Sequence, residues 1–492
     1  MMMQMTPRRS FGYNRSMITR LRVQGFKNMA DLTVRFGPFT CIAGLNAAGK
    51  SNLFDAIRFL HLLTQKPIME AVGALRDLKG RAPAPGELFT RFGEFVAPEM
   101  RFEVDLVVDP NVEDEFGVKA TAAISTLRYE VAFRMSRRES GILELAHEEL
   151  RPVALGQAIA HLGFSTSHEF RTSVATGRRT TSLISTAESD ELSGELSPVI
   201  TVHQEGHGGR KLPAPKSTRT VAGGLASSDF PTILAVNREM SNWKSMLLEP
   251  TAMRSPSLYH DPSDLDARGA NLPNTIYRLE KPAASENAER RAGRVGAELA
   301  NRLSRLVEDV VDVRVREDEK FETRTLQVQG RDGVFRPAHA LSDGTLRFLV
   351  LSVLEADPHA KGVICIEEPE NGIHPSRIPA IVELLRDIAV DPDLPVDADN
   401  PLRQVIINTH SPSVVGQIPT DDLVYIEREQ RQFDTSVGNA AVAFVVPGSW
   451  RSWADKEAPR LVPGQVLESL GEGRPRDGQS VFSWATSHVV ES

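Results

Sequence analysis

The chain has 492 residues, of which 41% are hydrophobic and 25% charged, with two cysteines and a formal net charge of −8. This composition is typical of globular proteins and excludes a fibre, a wholly disordered chain, a disulfide framework and a four-cysteine zinc site. It also excludes a global basic field for nucleic acid. No apolar run approaches the roughly 18 to 20 residues of a membrane span, and we predict a cytoplasmic protein. The length corresponds to about three domains.

The first predicted elements flank a glycine-rich loop. Residues 1–16 are polar and rich in Met, and we predict a flexible extension there. Two short strands follow, at 31–36 and Phe39–Ala43, separated by the turn pair Gly37-Pro38. From Lys50 onward apolar residues recur every three to four positions, which predicts an amphipathic helix.

The loop between this strand and helix, Gly44 to Ser51, fits the pattern G-x-x-x-x-G-K-S/T. Its glycines allow successive backbone N–H groups to curl around a phosphate, and the helix N-terminus favours the phosphate charge. We expect Lys50 to reach the β- and γ-phosphates and Ser51 to bind Mg²⁺. The predicted nucleotide-binding residues here are Gly44, Asn46, Gly49, Lys50, Ser51 and Asn52.

The middle of the chain mixes strand and helix patterns. Apolar residues alternate between residues 101 and 150, which predicts a β-rich stretch. Residues 165–229 are rich in Ser, Thr, Gly and Arg and are interpreted as a surface insertion, with a short strand at 199–203. Helical spacing returns at 233–248 and 286–310.

Two arginine clusters have the charge to contact nucleic-acid phosphates. One is Arg137-Arg138 and the other comprises Arg290, Arg291 and Arg294. Neither has interleaved aromatic residues, so solvated protein faces explain them better, and nucleic-acid binding stays an open possibility.

The last third alternates helix and strand, which predicts a parallel α/β sheet. Its strand at 362–366 ends in Glu367-Glu368-Pro369-Glu370, and open α/β sheets bind ligands at strand ends. Two adjacent carboxylates there suit Mg²⁺ binding and the orientation of an attacking water. Taken alone, the same residues also fit a solvated acidic turn.

Two more motifs complete a recognisable order. Leu341-Ser342-Asp343-Gly344 opens a helix before the acidic strand, and Asn408-Thr409-His410-Ser411 closes the next strand. With the phosphate loop, this order resembles the ABC-type ATPases of the SMC, RecF and OLD group, in particular the compact predicted ATPases of bacterial defence systems. The resemblance implies an α/β fold: a P-loop ABC-type ATPase head split into two lobes, with a β-rich and helical middle insertion.

The resemblance also implies roles for individual residues. Glu367 would share Mg²⁺ with Ser51, Glu368 would be the general base, and His410 would contact the γ-phosphate of ATP. Ser342 and Gly344 match the family signature, which acts on the nucleotide of a second copy, so a homodimer or higher homo-oligomer is expected. Asp343 replaces a glycine of transporter signatures and points away from transporters.

The predicted domains follow from this resemblance and from the patterns described above. They are a flexible extension (1–16), ATPase lobe one with the phosphate loop (17–110), a β-rich insertion (111–230), a helical arm (231–335), ATPase lobe two with the signature, acidic strand and switch histidine (336–430), and a C-terminal tail (431–492).

Three functions remain compatible with the sequence. OLD-type relatives continue into a TOPRIM nuclease, but no D-x-D carboxylate pair follows His410, so we expect no nuclease in this chain. The favoured function is an ATP-hydrolysing, nucleotide-gated sensor and scaffold for a separately encoded nuclease or toxin effector in anti-phage defence. The alternative is a RecF/SMC-like DNA repair ATPase that binds DNA directly. A transporter subunit is the weakest candidate, because the phosphate loop and the signature of transporter subunits lie much closer together in sequence than they do in this chain.

Overall fold

The computed structural model describes residues 16–75, 83–154, 156, 161–189, 197–203, 209–281, 294–305, 310–397, 399–433 and 436–472. Several predictions fall outside these ranges: the extension before residue 16, Arg290 and Arg291 of the second arginine cluster, the start and end of the helix at 286–310, and the tail beyond residue 472.

The described strands and helices are as follows. The strands are β1 (Met17–Phe26), β2 (Met29–Arg35), β3 (Phe39–Ala43), β4 (Arg91–Phe92), β5 (Phe95–Val96), β6 (Met100–Val107), β7 (Asn111–Glu113), β8 (Lys119–Thr121), β9 (Thr126–Met135), β10 (Leu143–Pro152), β11 (Ile184–Ser189), β12 (Ser197–Val202), β13 (Arg210–Pro213), β14 (Lys244–Met246), β15 (Ser257–Leu258), β16 (Val310–Asp318), β17 (Thr323–Gly330), β18 (Phe335–Pro337), β19 (Gly362–Glu367), β20 (Arg403–Thr409), β21 (Leu423–Phe433) and β22 (Ser436–Val445). The α-helices are α1 (Lys50–Gln65), α2 (Ile68–Gly73), α3 (His168–Val174), α4 (Val221–Gly224), α5 (Pro231–Ser241), α6 (Pro250–Arg254), α7 (Leu272–Glu280), α8 (Arg294–Ser304), α9 (Asp343–Ala356), α10 (Ile378–Ile388), α11 (Pro412–Val415), α12 (Trp450–Ala454) and α13 (Pro463–Glu472).

A six-stranded sheet forms the centre of the molecule, in the order β14-β19-β20-β3-β21-β22. Every neighbouring pair is parallel except β21 and β22. All residues of β3 and β20 are buried, as expected for strands covered by helices on both faces. Because the strands are parallel, the segments that follow β3, β19 and β20 emerge at the same edge. The predicted α/β fold class is confirmed.

A second, antiparallel sheet has eight strands in the order β13-β12-β11-β10-β9-β6-β1-β2. Helix α1 packs between the two sheets: Phe59 contacts the rings of Phe26, Phe102 and Phe133 of the antiparallel sheet, and the same core cluster includes Ile42 of β3. The burial of large apolar side chains on both sides holds the phosphate-loop helix between two rigid layers.

The eight-stranded sheet crosses a predicted domain boundary. Strand β6 pairs with β9 from Met100 to Val107, so the stretch predicted as an insertion from residue 111 extends the sheet of the first lobe. The division into domains therefore stays a prediction, and residue 110 does not end a sheet. The alternation of apolar residues indicated strands correctly but could not indicate which strands pair.

Two other regions differ from their predictions. The predicted helical arm contains helices α5, α6, α7 and α8, but also β14 of the central sheet and an antiparallel sheet of β15, β17 and β16 with β18 beside it. Strand β22 lies in the predicted tail, yet it pairs with β21 along its whole length and buries six consecutive residues. Within the described ranges, no helix combines the length and hydropathy needed to cross a bilayer.

Candidate nucleotide-binding and catalytic site

The phosphate loop connects β3 to α1 with a backbone that requires glycine. Gly49 precedes the helix at φ 121°, and a Cβ there would lie 2.9 Å from both Ala441 and Asn28. Lys50 folds across the loop, where its Nζ donates to the carbonyl oxygens of Gly44 at 2.6 Å and Leu45 at 2.8 Å. Burial lowers the pKa of Lys50 to about 8, while Glu368 and Glu370 oppose this shift.

Asn28 is a residue of this loop that sequence reasoning missed. It lies in the turn between β1 and β2, and its side chain donates to the Ala48 carbonyl at 3.2 Å and accepts from Asn52 at 2.7 Å. Its own carbonyl accepts the Ala441 N–H at 2.9 Å. Asn52, predicted to bind nucleotide, therefore positions the Asn28 side chain. A polar turn residue carries no sequence signal for this task, because the contact is made only when the two sheets pack.

Ser51 and Glu367 meet across the loop and the end of β19. The Ser51 hydroxyl donates to Glu367 Oε2 at 3.3 Å, although the two residues are 316 positions apart. A hydroxyl and a carboxylate oxygen are the hard ligands that Mg²⁺ prefers, so this pair fits the metal role predicted for it.

Glu368 is held by its backbone and by both carboxylate oxygens. Its N–H donates to the backbone and side-chain oxygens of Asn408 at 3.1 and 3.0 Å. Oε2 accepts from Asn371 at 2.7 Å, and Oε1 lies 2.9 Å from His410 Nδ1. Its φ of 44° is in the left-handed region, which is costly for a residue before proline, so these contacts maintain a strained conformation.

Thr409 fixes the loop that carries His410. Its hydroxyl donates to Glu370 Oε1 and accepts the Ser411 N–H at 2.9 Å, so Thr409 links the acidic segment to the backbone on the other side of the histidine. Burial raises the pKa of Glu370, while the hydrogen bond from Thr409 opposes the rise. The resemblance to ABC-type ATPases also implies that Glu370 begins a loop, ending at Pro375, that crosses the dimer interface; the sequence assigned no role to Thr409.

The signature lies at the start of α9. Ser342 caps the helix by accepting the Thr345 N–H at 3.2 Å, and both Ser342 and Asp343 are exposed. Gly344 is buried, and a Cβ there would lie 3.0 Å from the Gly372 carbonyl oxygen. The signature therefore packs directly against the loop that follows Glu368.

Arg254 is a second residue that the sequence did not reveal. It ends α6, and its Nη2 donates to the Leu341 carbonyl at 2.9 Å and to Asp343 Oδ1 at 2.5 Å. The structure thus brings Lys50, Ser51 and Glu367 to one edge of the central sheet with Glu368 and His410. Ser342 and Gly344 make contacts within α9 and with Gly372.

Both cysteines are core residues. Cys41 in β3 and Cys365 in β19 are fully buried, and burial raises the pKa of both thiols. Neither side chain is placed to take part in chemistry at the strand ends.

Comparison with known proteins identifies one matching family. The model described as "AAA domain, putative AbiEii toxin, Type IV TA system" matches residues 39–150 and 248–416, which together are more than half of the chain. These ranges include the phosphate loop, the signature, the acidic strand and His410. A search of curated proteins gave no match.

Similar solved structures are heads of SMC proteins. One is an SMC head bound to the C-terminal winged-helix domain of ScpA, at 12% identity and TM-score 0.45, covering 87% of this chain and 98% of that one. A second, derived from Pyrococcus furiosus, has an extended coiled coil and the C-terminal domain of ScpA, at 12% identity and TM-score 0.43, covering 92% and 98%. The SMC head from Thermotoga maritima has 13% identity and TM-score 0.35, covering 86% and 98%.

Proposed function

This chain belongs to the AAA-domain family that the matching model describes and is an ABC-type ATPase of the SMC/RecF-like group, and we propose that it binds and hydrolyses ATP with Mg²⁺. The proposal rests above all on one observation. Residues from three separate segments, Lys50-Ser51, Glu367-Glu368 and His410, converge at one edge of a parallel sheet through direct hydrogen bonds.

The chain's residues would divide the work of phosphoryl transfer. The loop N–H groups and Lys50 hold the phosphates, and Ser51 and Glu367 hold Mg²⁺, which when bound offsets phosphate charge. Glu368 takes the proton of the attacking water. Each carboxylate oxygen has two lone pairs, so the bonds from Asn371 and His410 orient this base without exhausting its ability to accept a proton.

We further propose that two copies act together. The exposed residues Ser342 and Asp343 lie at the N-terminus of the 14-residue helix α9. A helix N-terminus with unpaired N–H groups attracts phosphate. In a head-to-tail homodimer, this end would meet the ATP held by the Lys50 loop of the partner, and each copy would complete the other's site.

The output of the ATPase is proposed to be control of a separate effector. The family description names a putative toxin and a Type IV TA system, which supports a role of this chain within a system of more than one component. We propose that it is a nucleotide-gated sensor and scaffold whose partner is a nuclease or toxin, acting in anti-phage defence. Such gating requires that the partner bind the ATP-bound and ATP-free forms with different affinity.

The test is expression of the chain with its genomic neighbours, followed by purification with ATP, with ADP and without nucleotide. We expect Mg²⁺-dependent release of phosphate and a co-purifying protein whose amount depends on the nucleotide. The variant Glu368→Gln should increase the ATP-state complex, and Glu383→Gln, on the exposed side of α10, is the matched control. If no protein co-purifies in any state and DNA alone stimulates hydrolysis, the DNA repair function replaces this proposal.

A further inference from the structure

The signature of this chain carries a negative charge at the point where a phosphate is proposed to bind. Asp343 is the first residue of α9, and its side chain is 48% exposed. A carboxylate there interacts favourably with the helix dipole of its own chain. It also repels a γ-phosphate that approaches the same N–H groups, because like charges at close range disfavour binding.

Arg254 lies against this carboxylate and against the backbone next to it. One guanidinium nitrogen, Nη2, contacts both Asp343 Oδ1 at 2.5 Å and the Leu341 carbonyl oxygen at 2.9 Å. The two bonds span the residues on either side of Ser342. An isolated surface ion pair would not include a bond to the backbone. Because the same guanidinium also binds the Leu341 carbonyl, it holds the signature loop in position as well as pairing with its carboxylate.

The position of Arg254 is set by buried neighbours. The preceding residue, Met253, is fully buried in the same core cluster as Leu346 and Leu349 of α9. A Cβ on Gly269 would lie 2.9 Å from the Met253 side chain, so the packing is tight on that side too. Strand β15 begins three residues after Arg254 and pairs with β17, which anchors the C-terminal end of α6. The packed helix α6 of the middle region therefore places the guanidinium against the signature.

We propose that Arg254 is a positioning residue that neutralises Asp343 and thereby makes the N-terminus of α9 able to accept the phosphate of a partner's nucleotide. This inference rests on the proposed function. Arg254 would supply the compensating charge that transporter-type signatures, with glycine in place of Asp343, do not require.

The test is a double-mutant cycle of Arg254→Gln and Asp343→Asn. ATP-dependent association is measured by sedimentation in the Glu368→Gln background, and hydrolysis is measured without that change. We expect Arg254→Gln to weaken both by roughly tenfold, because an unpaired carboxylate then faces the phosphate. Asp343→Asn should stay within about threefold of the unmodified chain, and the double variant should recover to the same range, because no charge is left to neutralise.

Two controls separate this role from a structural one. The exposed pair of Arg268 and Asp266, at 3.4 Å, lies in the same region, and Arg268→Gln should leave association and hydrolysis unchanged. ATP affinity of the isolated subunit, measured with a fluorescent analogue, should be the same in all variants, because the phosphate loop is untouched. Thermal unfolding of each variant checks that the fold is kept.

The outcomes are distinct. If Arg254→Gln behaves like the unmodified chain, or if Asp343→Asn fails to rescue it, then Arg254 does not act through charge and the inference is wrong while the proposed ATPase stands. If the unmodified chain neither associates with ATP nor hydrolyses it, the proposed function fails and this inference fails with it.

Discussion

Replacing Glu368 with Gln tests the proposed general base with little disturbance of the site. The Gln carbonyl oxygen can accept the hydrogen bond from the side-chain amide of Asn371, and the Gln amide group can donate a hydrogen bond to His410 Nδ1. Both hydrogen bonds of the Glu368 carboxylate can therefore be replaced. The bonds from the Glu368 N–H to Asn408 do not involve the side chain. The substitution therefore removes the proton acceptor while the strained loop keeps its geometry.

The expected effect is large and confined to turnover. A positioned general base contributes about 100- to 10,000-fold to a rate, which equals about 3 to 5 kcal/mol of activation free energy. We therefore expect kcat to fall at least about 100-fold, while the affinity for ATP changes by less than about threefold because Lys50 and its loop are intact.

The assay combines phosphate release at saturating MgATP, affinity for a fluorescent ATP analogue and mass in solution with and without ATP. Glu383→Gln, which changes an exposed glutamate of α10, should match the unmodified chain in all three. Turnover within about threefold of the unmodified chain would assign the base to another residue. A loss of affinity as large as the loss of turnover would show that Glu368 acts mainly in binding.

Three further predictions concern binding and stability. Lys50→Ala should abolish detectable ATP binding in equilibrium dialysis, because the ammonium that offsets phosphate charge is lost; unchanged affinity would contradict the loop assignment. Arg451→Met should lower the free energy of unfolding by about 3 kcal/mol in urea titrations, because this buried guanidinium donates to the Arg35 and Asp421 carbonyls; a change under about 1 kcal/mol would refute its anchoring role. Burial raises the pKa of Glu239 to about 8, so its carboxyl disfavours the folded state increasingly as pH rises from its unfolded value of about 4.5 through 8. Glu239→Gln should therefore reduce the loss of unfolding free energy between about pH 4.5 and pH 8. If the urea midpoints of the variant depend on pH as those of the unmodified chain do, this prediction is wrong.

The sequence by itself determined the chemistry that short contiguous motifs carry. The glycine positions, Lys50 and Ser51 follow from what a phosphate requires of a backbone, and the order of helix and strand after residue 340 predicts parallel strands whose ends share one edge. The resemblance to ABC-type ATPases added the expectation that Ser51 and Glu367 share Mg²⁺ and that Glu368 and His410 act at the same phosphate, although these residues are far apart in the chain.

Only the tertiary structure decided the contacts that hold these motifs in place. Asn28 reaches Ala48 because the two sheets pack around α1, and Arg254 reaches Asp343 because Met253 is buried beside α9. The pairing of β6 with β9 and of β21 with β22 likewise placed residues predicted as insertion and tail inside the sheets of the ATPase. A single polar residue in a turn or short helix has no periodicity that marks its partner, and alternation of apolar residues indicates a strand without indicating its neighbour, so these features depend on long-range packing that local sequence does not encode.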